Sequence, residues 1–70
     1  MKEYVVNNVA KLRKGKKITQ EELAEKINVS RQTVIAIEKG NYIPSLLLGL
    51  KIAKFFKQSV EKIFIYKHEE

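Results

Sequence analysis

Thr19-Gln20-Glu21-Glu22-Leu23-Ala24-Glu25-Lys26-Ile27-Asn28-Val29-Ser30-Arg31-Gln32-Thr33-Val34-Ile35-Ala36-Ile37-Glu38-Lys39-Gly40 is the stretch that decides the fold. Thr19 is followed three residues later by Glu22, the Thr-x-x-Glu pattern that caps a helix start by reciprocal hydrogen bonds. Leu23, Ala24 and Ile27 follow at helical spacing, so the pattern predicts a helix over 20–27. Ser30 stands as a second N-cap before Arg31-Gln32-Thr33. Val34 and Ile37 give the next helix its apolar stripe over 31–38, and Gly40-Asn41 ends it.

Only Asn28-Val29-Ser30 separates these two helices. Ala24 is small where they must approach, Val29 plugs the turn, and Asn28 tolerates a left-handed backbone, though less easily than glycine. This is how a helix-turn-helix is built. The first helix braces the second, and the second is presented outward.

Working outward, Val9 and Leu12, with Val5 or Val6 one turn earlier, predict a helix over 7–15. Pro44-Ser45 opens a helix over 45–57, whose core stripe reads Leu46, Gly49, Leu50, Ala53 and Phe56. Ser59 precedes a short last helix over 60–63. The fold class is therefore all-α, a bundle of five helices. Tyr4-Val5-Val6 and Ile63-Phe64-Ile65-Tyr66 have the β-branched and aromatic composition of strands. Two readings stand for these ends: a small antiparallel ribbon over 3–7 and 63–68, or frayed ends with one extra turn of helix. A lone ribbon is marginal and is more credible within a dimer seam.

The chain has 70 residues and a net charge of +6, and reads as one domain over 1–70. It has no cysteine, no aspartate and one histidine, His68, to which no role is assigned. Little remains for acid–base, nucleophilic or metal chemistry, so no enzyme, cofactor or metal is expected. A core this small calls for good helix packing or a second subunit. The charge is blocked: residues 1–20 carry +5 and residues 31–57 carry +4, with acidic excess between and after them. Such blocks suit a polyanionic partner, or else a solvated lysine-rich surface. Neither a targeting segment nor an 18-residue apolar run is visible, so the cytoplasm is the expected location.

Four motifs occur together, in order: Gln20-Glu21-Glu22-Leu23-Ala24, Val29-Ser30-Arg31-Gln32-Thr33-Val34, Ile37-Glu38-x-Gly40 and Pro44-Ser45-Leu46. Through them the chain resembles the Xre/Cro-type helix-turn-helix family over about Val9 to Phe64. The apolar ends and short length are similar to the small stand-alone regulators of that family. The resemblance implies a repressor-like bundle that reads double-stranded DNA, and a homodimer whose terminal strands form a small sheet. Departures are consistent. Lys17, Asn28 and Lys57 stand where members usually have helix-ending glycines, with Gly15 offering the first helix an earlier exit. Gly49 stands inside a helix where alanine is usual, which suggests close packing against another helix.

The resemblance assigns the first turn of the second motif helix to the major groove. Arg31 can donate twice to guanine, Gln32 can pair with adenine, and Ile35 or Ala36 can touch a thymine methyl. A phosphate contact for Arg31 and core burial for Ile35 are the alternatives. Gln20, Ser30, Thr33, Lys39, Asn41, Tyr42, Lys16 and Lys17 are candidates for the DNA backbone. Arg13 and Glu38 are expected to form a buried structural ion pair, the alternative placing Arg13 on DNA.

The penultimate helix carries a second apolar stripe, and Leu48, Ile52, Phe55, Val60 and Ile63 are the candidate dimer interface. Leu47 stands where relatives commonly carry a charge. Two functions compete: a homodimeric repressor reading a palindromic operator, or an antitoxin or accessory module that binds another protein. A membrane-lying apolar helix with Lys51, Lys54 and Lys57 fits the proline-capped start poorly.

Overall fold

Side-chain hydroxyls open three helices in the computed structural model, which describes residues 2–70. The order is β1 (Lys2–Asn7), α1 (Val9–Gly15), α2 (Gln20–Ile27), α3 (Arg31–Lys39), α4 (Leu46–Phe56), α5 (Val60–Ile63) and β2 (Phe64–Glu69). At Thr19 both halves of the capping box close. Glu22 N–H donates to Thr19 Oγ1 at 3.0 Å, and Thr19 N–H donates to Glu22 Oε1 at 2.8 Å. Ser30 accepts from Thr33 N–H, and Ser45 from Leu48 N–H. Ser59 holds the N-cap position of α5 without a side-chain cap bond; its carbonyl accepts from Lys62 N–H instead.

Among the described residues, three non-glycine residues have positive φ: Lys17 at 58°, Asn28 at 60° and Lys57 at 56°. These are the three positions where the sequence lacks the expected glycines. Gly15 offers no earlier exit, because it remains the last residue of α1 and the chain turns at Lys17. Gly40 ends α3 in the same left-handed conformation, at φ 81°.

The chain ends pair as an antiparallel ribbon, with register from Lys2↔Glu69 to Asn7↔Phe64. The frayed alternative therefore gives way to strands, and β2 starts at Phe64 because Ile63 completes α5. Helix α1 begins at Val9 rather than at residue 7, for a reason local to Asn7. Its Oδ1 accepts from Val9 N–H at 3.1 Å, and its Nδ2 donates to the Ile37 carbonyl at 2.9 Å. Asn8 N–H then donates to the Ile63 carbonyl at 3.0 Å, so strand, first helix and last helix meet at one point.

The core comprises Val9, Leu23, Ala24, Ile27, Val34, Ile37, Leu48, Ile52, Ala53, Phe56 and Ile63. On α4 Gly49, Ala53 and Phe56 are buried as expected, and the other two members of the expected stripe are not. Leu46 and Leu50 are 75% and 50% exposed, whereas Leu48 and Ile52 are 7% and 0% exposed. Leu48, Ile52 and Ile63 thus cannot meet a partner as proposed, because the chain's own core uses them. Phe55 and Val60 are half-buried against that core. Gly49 is buried, yet a Cβ built there would have no atom within 4 Å. Close helix packing does not explain it.

Candidate nucleic-acid interface

The α2–α3 turn fixes the outward helix from beneath. Asn28 ends α2 in the left-handed conformation, which lets Val29 N–H reach back to the Ala24 carbonyl at 2.9 Å. Val29 packs against the core, and Val34 and Ile37 bury the inner face of α3. The start of α3 is left in solvent, with Arg31 and Gln32 both exposed. Ser30 caps this end, and its hydroxyl also bonds that of Thr33 at 3.0 Å. A hydroxyl has one donor and two acceptor sites, so both side chains keep capacity for a further contact. One turn later Ile35 and Ala36 are half-buried, at the border between core and solvent.

Glu38 anchors the other end of α3 to two helices. Arg13 Nε donates to Glu38 Oε2 at 2.7 Å and Arg13 Nη2 to Oε1 at 3.2 Å. Arg13 Nη1 also donates to the Ile18 carbonyl at 2.9 Å. The two side chains are 11% and 8% exposed. Gln20 Nε2 joins them, donating to Glu38 Oε1 at 3.1 Å. This bond was not foreseen from the sequence. It makes Gln20 a brace between α2 and α3, and its second amide hydrogen and its carbonyl stay available for another partner.

The pair fixes its own charge state. Hydrogen bonding to Glu38 raises the Arg13 pKa above its ordinary value, against the opposing effect of burial. Burial alone would raise the Glu38 carboxyl. The hydrogen bonds from Arg13 and Gln20, together with the charges of Arg13 and Lys14, outweigh it, so the pKa lies below its ordinary value.

Arg13, Thr19, Gln20, Glu21 and Arg31 line an open cleft of about 380 Å³. The start of α2 and the start of α3 therefore share one concavity. Lys39, Asn41 and Tyr42 are exposed just beyond α3. Lys16 and Lys17 are exposed after α1, and Lys16 Nζ lies 5.4 Å from the centroid of the Phe55 ring.

A helix-turn-helix family model matches residues 9–63, which takes in every helix of the fold. The chain belongs to that family. Helix-turn-helix relatives are similar to it over most of its length. An uncharacterized HTH-type transcriptional regulator of Methanocaldococcus jannaschii is 64% identical over 53 residues, 76% of this chain and 80% of the relative. The uncharacterized HTH-type transcriptional regulator YgzD of Bacillus subtilis is 51% identical over 63 residues, 90% of this chain and 96% of that protein. The HTH-type transcriptional activator BcrR of Enterococcus faecalis is 38% identical over 52 residues, 74% of this chain but 26% of BcrR. Among the described residues of this helix-turn-helix protein, no helix is long and apolar enough to cross a membrane.

Proposed function

We propose that this chain is a sequence-specific transcriptional regulator, a homodimeric repressor that reads a palindromic operator in the major groove of double-stranded DNA. The observation that carries the reading is the capped start of α3, where Arg31 and Gln32 stand in solvent while Val34 and Ile37 hold the helix on the core. Arg31 reads guanine and Gln32 reads adenine through paired hydrogen bonds. Ile35 and Ala36 meet thymine methyls at the rim. Gln20, Ser30, Thr33, Lys16, Lys17, Lys39, Asn41 and Tyr42 hold the sugar–phosphate backbone, which sets register without carrying sequence information.

Dimensions agree with a two-fold arrangement. The chain measures 38 × 23 × 21 Å. Two abutting copies can set their α3 helices one turn of DNA apart, about 34–36 Å. Repression follows when such a dimer covers promoter DNA. The name of BcrR, an activator, makes the sign of regulation a matter for measurement.

Selection of bound sequences from random DNA at two salt concentrations tests the reading. A palindromic consensus with half-sites one turn apart is expected, with affinity falling steeply as salt rises. A set of bound sequences without a consensus would overturn it. A reporter driven by the selected operator should gain output when the regulator gene is deleted.

A further inference from the structure

We infer that α4 and the loop before it form a self-complementary surface that receives a second copy of this chain, with Gly49 as the floor of its socket. The inference rests on the homodimer reading above and says where the subunits meet. Ile43, Leu46, Leu47 and Leu50 are 66%, 75%, 70% and 50% exposed, the most concentrated run of bare aliphatic side chains on the molecule. Leu46 and Leu50 are four residues apart and Leu47 and Leu50 three, so they share one side of α4.

Beside these knobs is a hole. Ile43, Leu46, Gly49, Val60 and Phe64 help to line an apolar groove of about 140 Å³. Gly49 forms its floor, because a Cβ there would meet nothing within 4 Å. A volume of this size accepts a leucine or isoleucine side chain. An isologous dimer needs knob and hole on the same patch, so that each subunit fills the other. This patch carries both.

Charge and area decide in favour of a second copy. From Asn41 to Leu50 the sequence holds no charged residue, on a chain whose net charge is +6. Two such chains repel wherever lysines face each other, and this uncharged stretch is where they can meet. Lys54, exposed one turn beyond Leu50, is a lysine of α4 on that side and borders the patch, where an acidic partner protein would call for several cations among the knobs. The four side chains expose on the order of 450 Å² per copy, a size at which an apolar patch on a monomer is commonly functional. Two copies with the groove walls reach the roughly 1,000 Å² that a specific interface needs.

Sedimentation of the full chain, with circular dichroism and DNA titration on the same samples, tests this. The parent chain should be dimeric at micromolar concentration. Leu47→Glu places a charge among the knobs, and Gly49→Leu fills the socket with a good helix former. Each should weaken the dimer at least a hundredfold with helical content unchanged. Gly49→Leu should also raise the thermal midpoint of the monomer, an effect opposite in sign to that of a disrupted core. Val6→Lys, on the ribbon, should leave the dimer intact.

Three results would overturn the surface: a parent chain monomeric at 100 μM, dimers that survive both α4 variants, or dimers split by Val6→Lys alone. The DNA arm separates this outcome from failure of the regulator reading. If the α4 variants still select single half-sites on short duplexes, the reading surface stands whatever the fate of the dimer. If the parent chain dimerises but selects no sequence, the interface stands and the regulator reading falls.

Discussion

Arg13 grips Glu38 at two points, Nε to Oε2 at 2.7 Å and Nη2 to Oε1 at 3.2 Å, and so ties α1 to the end of α3. Both side chains are about nine-tenths withdrawn from water. Removing one partner strands the other. Glu38→Ala should cost about 2–4 kcal/mol of stability, somewhat less than a fully buried pair. Arg13→Ala should cost a similar amount. Denaturant melts of the two single variants and the double variant give the coupling energy. Additive losses would show that the pair contributes nothing as a pair.

Acid should act through the same carboxylate. The Glu38 pKa is lower in the folded chain than its ordinary value, because burial is outweighed by the hydrogen bonds from Arg13 and Gln20 together with the charges of Arg13 and Lys14. Its stabilising effect is therefore complete above the ordinary carboxylate pKa. It is lost as pH falls through that value towards the depressed folded one. Stability measured from neutral pH downward should decline over that window. The decline should be shallower in Glu38→Gln, which cannot ionise at this position. Equal slopes in the two chains would remove Glu38 from the acid response.

At the reading end of α3, Arg31 is exposed and contributes no packing to the core. Arg31→Ala should leave the melting temperature nearly unchanged and weaken specific DNA binding by about 1–3 kcal/mol. The consensus should relax at one position in each half-site. Binding titrations on operator and random duplexes separate the roles. Equal losses on both would make Arg31 a phosphate contact.

What the sequence made legible divides along the reach of each interaction. The caps at Thr19, Ser30 and Ser45 and the left-handed turn at Asn28 depend on residues within a few positions, and they read directly. Helix α4 did not. In Leu46-Leu47-Leu48-Gly49-Leu50-Lys51-Ile52 apolar residues occupy almost every direction around the axis, so periodicity offers two stripes. Only the packed neighbours choose between them, and they take Leu48 and Ile52. Within the candidate site, Arg31 and Gln32 were placed by position in the motif. The Gln20–Glu38 bond spans 18 residues and needed the tertiary arrangement to appear.

Asn7 shows the same limit from another side, because its two bonds join elements that are far apart in sequence. Its side chain starts α1 by accepting from Val9 N–H and reaches the Ile37 carbonyl of α3. Asn7→Ala takes the acceptor from Val9 N–H and one of two bonds from the Ile37 carbonyl, which keeps that from Gly40 N–H at 3.0 Å, and should cost about 1–2 kcal/mol. Amide exchange near the end of α3 should accelerate more than exchange in α2. A uniform acceleration would mean that Asn7 has no particular hold on α3.

The left-handed positions Lys17, Asn28 and Lys57 separate backbone strain from side-chain chemistry. A lysine at positive φ carries strain that glycine does not, while glycine adds entropy to the unfolded chain. Asparagine tolerates this region better than lysine. Lys57→Gly, between α4 and α5, should therefore stabilise by about 0.5–1 kcal/mol. For a chain of this size that is a rise of roughly 2–8 °C in melting temperature. Asn28→Gly should change it less. Lys17→Gly should stabilise like Lys57→Gly but also flatten the salt dependence of DNA binding if Lys17 lies on the phosphate path. Thermal melts of the three variants at one ionic strength give the order. A fall in melting temperature for Lys57→Gly would show that its side chain does more for the fold than its backbone strain takes away.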